Sequence, residues 1–307
     1  MPTPQITVLI PTYNRSQSLR MVLPSYAADP AVARIVVVSD GSTDDTAQMV
    51  EAYAATSDIP VTLIRHETQR GQQISRMAAV ATATTEFVLF GEDDVWLADG
   101  YCSTLLEELL AHNADIAGGR AINFKYGDRF SPTLLPRVKP RKGDAGFDVP
   151  NFIANLEPES ARTMDAPFLH SWTLIRRSVF ESVQFDPGYR GNAFREETDF
   201  YLSARTQGFR LIFTPRTVCY HLRGSLNATG GQRGRRFRKL WVEYWCAVNT
   251  YRMTRKHWAF LTARDGFRGT PLQYLIQQYL PYRAGLLLHS MTRKARPAGL
   301  RTASKPA

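Results

Sequence analysis

The sequence predicts an α/β fold, a mostly parallel sheet flanked by helices, followed by a helical and strongly basic C-terminal extension. Three observations carry this. Over the first third of the chain, short β-rich runs alternate with stretches of helical spacing. The runs are continuously apolar instead of alternating, as strands covered on both faces are. Charge is also divided unevenly: the chain is +10 over 307 residues, yet positions 231–307 hold 16 Lys and Arg against two acids, Glu243 and Asp265. The body before them is slightly acidic, like an ordinary enzyme domain.

The elements follow in order. ITVLIP at 6–11 is the first strand, and PTYNR at 11–15 supplies turn chemistry before the helical SQSLRMVLPSYAA. RIVVVSD at 34–40 is the second, followed by DGSTDDT, where Ser42 and Asp44 suit a turn and a helix N-cap ahead of another helix. VTLIRH at 61–66 is the third, and ETQRGQQISR after it opens the helix that carries Arg76. EFVLFGED at 86–93 is the fourth, and it runs into three consecutive acids, Glu92, Asp93 and Asp94. Parallel strands with helical crossovers bind ligands at their carboxyl ends, so all four polar clusters share one edge. Adjacent carboxylates repel, and more strongly at low dielectric, which leaves a solvated turn or a divalent-cation site as the two readings of the acids. A ring at Tyr13 can stack on a base, Asp40 can accept from a base or ribose, Arg76 can meet phosphate and Asp94 can hold a metal. Together they describe a nucleotide pocket. Neither GxGxxG nor GxxxxGK[ST] occurs, so neither a dinucleotide fold nor a P-loop is indicated.

Beyond the acids, the segment 125–165 is rich in Pro, Gly and basic residues and reads as loops over the acceptor side, with Lys139, Arg141 and Lys142 either attracting an anion or simply solvated. HSWTLIRRSVFESVQFDP reads as a returning strand and helix. FREETDFYLSARTQGF sets Glu196, Glu197 and Asp199 at a helix start, where acids also favour the macrodipole. The extension holds two amphipathic stretches, the second flanked by Arg293, Lys294 and Arg296. These suit an anionic membrane surface or packing on the body. Nucleic acid is not the expected partner, since no base-reading module is matched. With 44% hydrophobic residues, no signal-like N-terminus and no apolar run of spanning length, a cytoplasmic protein is expected, peripheral at the inner face of the membrane if the extension binds there. Cys102, Cys219 and Cys246 are too scattered for a disulfide framework or a zinc site.

The motifs VLIPTYNR, VVVSDGSTDDT, the Arg76 helix, VLFGEDDV, FREETDFYLSARTQGF and CYHLRG, in that order over about 6–224, resemble a family 2 glycosyltransferase of the GT-A fold. The resemblance implies inverting transfer of a sugar from a nucleotide-diphosphate donor, a UDP-sugar favoured, to the hydroxyl of a saccharide, lipid-linked or small-molecule acceptor in glycan or glycoconjugate biosynthesis. It implies a glycosyltransferase domain over 1–230, with a nucleotide half at 1–120 and an acceptor and catalytic half at 121–230, and the basic extension at 231–307. Pro11, Thr12 and Tyr13, with Asn14 and Arg15 beside them, would shape the base pocket. Asp40, near Ser42, would contact the base, and Arg76 would reach the nucleotide. Asp93 falls to the ribose or first phosphate. Asp94 and His221 would hold Mn2+ or Mg2+, with Glu92, where relatives often carry aspartate, as a further ligand candidate. A hard cation suits oxygen ligands and neutralises a leaving diphosphate. Glu197, standing where an aspartate is usual, is the candidate general base, with Glu196 and Asp199 as rivals. Trp172 would wall the acceptor pocket or pack in the core. Two other classes stay open: a sugar-phosphate nucleotidyltransferase, which usually shows a Gly-rich basic N-terminal loop, and a non-catalytic nucleotide-sugar-binding protein.

Overall fold

The computed structural model describes residues 6–125, 143–159, 162–223 and 238–295; Lys139, Arg141, Lys142 and Arg296, and the side chains of Arg293 and Lys294, lie outside the described part. The first half runs β1 (Ile6–Thr12), α1 (Ser16–Ala27), β2 (Val32–Asp40), α2 (Thr46–Ala54), β3 (Val61–His66), α3 (Gln72–Val80), β4 (Phe87–Phe90), β5 (Val95–Leu97), α4 (Tyr101–Ala111) and β6 (Ile116–Lys125). The rest runs β7 (Gly146–Asp148), β8 (Ile153–Asn155), β9 (Met164–Asp165), β10 (Thr173–Arg176), α5 (Glu196–Thr206), β11 (Leu211–Arg223), α6 (Arg238–Arg264), α7 (Pro271–Tyr274), a π-helical turn over Leu275–Tyr279 and α8 (Leu280–Ala295).

The main sheet has the order β3-β2-β1-β4-β10-β6-β11-β5, with β9 paired to β11. β3, β2, β1 and β4 pair in parallel, β10 enters antiparallel between β4 and β6, and β11 runs parallel to β6 but antiparallel to β5 and β9. The order reverses at β1, whose neighbours are β2 and β4. This switch point is where the carboxyl ends of parallel strands leave a crevice.

The absence of alternation in the strands has a direct cause. Leu9, Val36, Val38, Val88 and Phe90 enter one buried cluster, while Val8, Ile10, Val37, Phe87 and Leu89 enter another on the opposite face. Each strand therefore needs apolar residues on both sides. The polar ends begin where this double burial stops: β4 closes at Phe90, and the three acids form the turn into β5.

Two expectations change. The stretch after β10 is a short 3-10 segment over Arg177–Glu181, not an α-helix. Part of the loop-rich segment is ordered as a β7–β8 hairpin. The basic extension also joins the body: Cys246, Met253, Leu261, Tyr274 and Tyr279 are buried in the same cluster as Phe200 and Phe213.

Candidate functional site

At the carboxyl edge of β1, β2 and β4 lies a cavity of about 340 Å³, whose walls include Tyr13, Arg15, Asp40, Gly71, Asp93 and Asp94. Asp40 ends β2 and is held in place by three donors: His66 Nδ1 at 2.9 Å, the Arg70 amide at 2.9 Å and the Gly71 amide at 2.8 Å. Burial would raise its pKa, but these donors outweigh it and hold the carboxyl below its usual range. The loop can come this close because residue 41 is glycine, at φ +76°, where a Cβ would sit 2.6 Å from the Gln69 amide nitrogen. Asp40 still lines the cavity, where its carboxylate can accept from a base N–H.

The three acids are compensated residue by residue. Arg15 Nη1 donates to Asp93 Oδ1 at 2.7 Å and to Asp94 Oδ2 at 3.0 Å. Arg76 Nη2 and Gln72 Nε2 donate to Glu92 Oε1 at 3.0 and 3.1 Å. Burial pushes the Asp93 carboxyl up; Arg15 opposes this and Asp94 adds to it. The backbone of the turn is clamped as well. The Tyr26 hydroxyl donates to Glu92 O at 3.0 Å and accepts from Glu92 N at 3.1 Å, while Ser18 Oγ donates to Asp93 O at 2.6 Å. Gly91 permits this approach, because a Cβ there would lie 2.9 Å from the Tyr26 ring. Tyr26→Phe leaves a buried N–H and C=O without that partner, so unfolding free energy should fall by about 1–3 kcal/mol. Urea denaturation reads this directly, and an unchanged midpoint would refute the clamp.

Glu92, Asp94 and His221 each bring one ligand atom within 4.8 Å of the others. Asp94 Oδ1 is buried, has no hydrogen bond, and faces His221 Nε2 at 3.6 Å. Asn123 Oδ1 lies 3.3 Å from His221 Nδ1 and can accept its proton, which leaves Nε2 as the ligating atom; Asn123 Nδ2 in turn donates to Glu157. Burial works against ionised Asp94, but His221 and Arg15 together bring its pKa below the usual range. Two carboxylates and an imidazole, with one buried carboxylate oxygen outside any hydrogen bond, fit a divalent ion of the Mn2+ or Mg2+ type.

Glu92 also borders a second cavity, of about 550 Å³, which His221, Ser171 and Trp172 help to line. The α5 acids behind Ser171 differ in their surroundings. Glu197 Oε1 accepts from Ser171 Oγ at 2.8 Å and from Arg76 Nη1 at 3.3 Å, and its side chain keeps 27% exposure. Glu196 is buried against Arg76 at 3.3 Å; burial and the neighbouring Glu197 raise its pKa well above normal, with Arg76 opposing.

A family model described as glycosyl transferase family 2 matches residues 7–183. The chain belongs to this family. It is 26% identical to Streptococcus pneumoniae glycosyltransferase GlyA over 78% of this chain and 32% of that protein. It is 26% identical to Rhizobium meliloti succinoglycan biosynthesis protein ExoU over 67% of this chain and 58% of that one. Identity is 28% to the Campylobacter jejuni GalNAc(5)-diNAcBac-PP-undecaprenol beta-1,3-glucosyltransferase, over 68% of this chain and 65% of that one. The chain thus spans from about one third to just under two thirds of these relatives. The solved structure of S. aureus TarS in complex with UDP is similar in fold, with a TM-score of 0.53 at 18% identity over 84% of this chain and 72% of that one. The fold is GT-A.

Within this family 2 architecture, Pro11, Thr12, Tyr13, Arg15, Asp40, Asp93 and Asp94 come together at the first cavity. Asn14 and Ser42 do not line it. Ser42 Oγ accepts from the Asn14 amide, and Asn14 Oδ1 accepts from the Thr43 and Asp44 amides, so the pair ties two loops together. Arg76 does not reach the nucleotide cavity: its side chain is wholly buried and bonded to Glu92, Glu196 and Glu197. Asp199 is not placed as a base either, because it is fully buried and engaged by Lys256 Nζ at 2.7 Å and His257 Nε2 at 2.9 Å. Trp172 both lines the second cavity and packs in a core cluster. Tyr26, His66, Asn123 and Ser171 were not anticipated; a buried tyrosine or a lone serine carries no local signal of such a role.

Proposed function

We propose that the chain is a metal-dependent inverting glycosyltransferase that moves a sugar from a nucleotide diphosphate, UDP favoured, to an acceptor hydroxyl in glycan or glycoconjugate synthesis. The observation that carries this is the Glu92–Asp94–His221 cluster beside the nucleotide cavity, with Glu92 shared by a second cavity and Glu197 bonded to Ser171, which lines that second cavity. Tyr13 stacks on the base, Asp40 accepts from it, and Asp93 meets the ribose or first phosphate. Asp94 and His221, with Glu92, would hold Mn2+ or Mg2+, which would supply charge neutralisation for the leaving diphosphate. Glu197 takes the proton from the acceptor hydroxyl at the carbon face opposite the leaving group, and the resulting attack inverts the anomeric centre. The uridine preference is supported by the TarS complex with UDP, and a lipid-linked acceptor by the printed name of the C. jejuni relative.

Nucleoside diphosphate with Mn2+ should raise the melting midpoint, corresponding to about 2.7 kcal/mol at a hundredfold excess over Kd. Asp94→Ala should remove the manganese-dependent part and leave the fold intact. A metal-dependent shift of parent size in that variant would sink the ligand assignment. Hydrolysis of the nucleotide sugar without acceptor separates an enzyme from a binding protein.

The extension adds an anionic membrane surface to the proposed partners. Leu240, Tyr244, Ile276, Leu280 and Leu288 are exposed on an extension rich in Lys and Arg, and no helix among the described residues is long and apolar enough to cross a membrane. Removing the whole extension would also remove the partners of Asp199, so substitution is the cleaner test. Leu280→Glu with Leu288→Glu should abolish sedimentation with anionic liposomes, and parent binding should weaken with salt. Retained or salt-insensitive binding would count against this partner.

A further inference from the structure

The second cavity is lined by a positive charge that has no ion-pair partner among the described residues. Arg195, just before α5 at φ +76°, lines the cavity and is only 8% exposed. Its Nη1 donates to Phe152 O at 2.6 Å and its Nη2 to Asn151 O at 3.0 Å. The rings of Phe152 and Phe194 lie 5.3 and 4.5 Å from its guanidinium carbon. Its Nε is buried without a hydrogen bond, and among the described residues no carboxylate forms an ion pair with it. Arg76, wholly buried, is by contrast balanced by three glutamates.

A buried charge is ordinarily paired, and a guanidinium cannot escape by losing its proton. The acids bordering the same cavity are engaged elsewhere: Glu92 by Arg76 and Gln72, and Glu157 by Asn123. A second guanidinium, paired with its own carboxylate, lies nearby. Arg283 of α8 also lines the cavity and lies over Phe194, at 6.0 Å, while Glu243 holds it at 2.8 and 2.6 Å. The donors left for a ligand are the second N–H on each Arg195 Nη and the Nη1 of Arg283, whose Nε and Nη2 go to Glu243, and guanidinium N–H groups match phosphate and carboxylate oxygens. The volume, about 550 Å³, is that of a small-ligand site.

We propose that Arg195, assisted by Arg283, forms an anion subsite in the acceptor cavity, so that the acceptor bears a phosphate or carboxylate group. This rests on the reading of that cavity as the acceptor site. It also gives the C-terminal extension a direct part in acceptor selection, because Tyr282, Arg283 and Leu286 complete the wall.

The test is calorimetric titration of the full chain in EDTA with methyl phosphate, octyl phosphate and methyl glucuronoside, each against a neutral methyl or octyl glucoside. At least one anionic probe should bind tenfold or more tightly than its neutral counterpart. Preference for octyl phosphate assigns a lipid-borne phosphate, for methyl phosphate a soluble one, and for the glucuronoside a sugar acid. Arg195→Gln should lower the anionic affinity tenfold or more, and Arg283→Gln several-fold. Equal binding of anionic and neutral probes, or anionic affinity unchanged in both variants, overturns the proposal. Should Arg195→Gln fail to fold, Arg283→Gln and the salt dependence of the parent decide. Asp94→Ala separates the two cavities, since it should lose manganese-dependent nucleotide binding and keep the anionic probe. If the parent binds no nucleoside diphosphate with Mn2+, the glycosyltransferase reading fails, whatever the anionic probes do.

Discussion

Replacing Glu197 by glutamine is expected to lower turnover by about 10² to 10⁴, the usual contribution of a general base, with donor affinity left near that of the parent. Glutamine keeps the size of the side chain and can still take a bond from Ser171, but it cannot accept the acceptor's proton. The donor is held elsewhere, at the edge carrying Tyr13, Asp40 and Asp93, so Kd for the nucleotide should not move. The neighbours provide the controls. Asp199→Asn should cost stability and little chemistry, because Asp199 is a buried anchor between α5 and α6, bonded to Lys256 and His257. Glu196→Gln should also be mild, since that carboxyl is buried against Arg76 and pushed toward its neutral form. Steady-state rates at saturating donor measure all three. If Glu196→Gln or Asp199→Asn loses activity as a base should while Glu197→Gln stays near the parent rate, the base lies one or two residues away.

The strands on the nucleotide side were legible because double burial forces continuous apolar runs, and the acids were legible because like charges directly after such a run require compensation. What compensates them was only partly visible. Arg15 is near in sequence to the first strand's end, but the partners of Arg76 are 16, 120 and 121 positions away, and nothing local marks a helical arginine as buried. The same holds for Asp199, whose partners lie 57 and 58 positions later in a segment that reads as surface charge. Along α6, Met253 and Leu261 are buried while Leu240 and Tyr244 are exposed, so one amphipathic pattern serves both body packing and an outward face. Sequence spacing identified the pattern and could not say which side meets the protein.

Arg76→Met should be the most damaging single change in the fold, at about 3–5 kcal/mol near neutral pH, the usual cost of removing one partner from a buried ion pair. Methionine retains much of the volume beneath Phe90 and Phe185, whose rings lie 5.5 and 5.2 Å from the guanidinium carbon, so a cavity is not the main cause. The cause is that Glu92, Glu196 and Glu197 lose the cation they share. The pH dependence distinguishes this from simple loss of packing. In the parent, burial already raises the Glu196 pKa well above its ordinary value, while Arg76 restrains the rise. Without Arg76 the folded-state value climbs further. An acid whose pKa is raised by folding favours the folded state fully only below its unfolded pKa, about 4.3, and loses that advantage as pH rises through the folded value. The gap between variant and parent should therefore be largest at pH 8 and shrink as pH falls toward 5. Denaturant midpoints of both proteins at the two pH values measure it. Arg76→Lys, which returns a charge without the fork, should recover part of the loss at pH 8. A gap that is the same at both pH values would assign the damage to packing and remove the shared-cation account of the three glutamates.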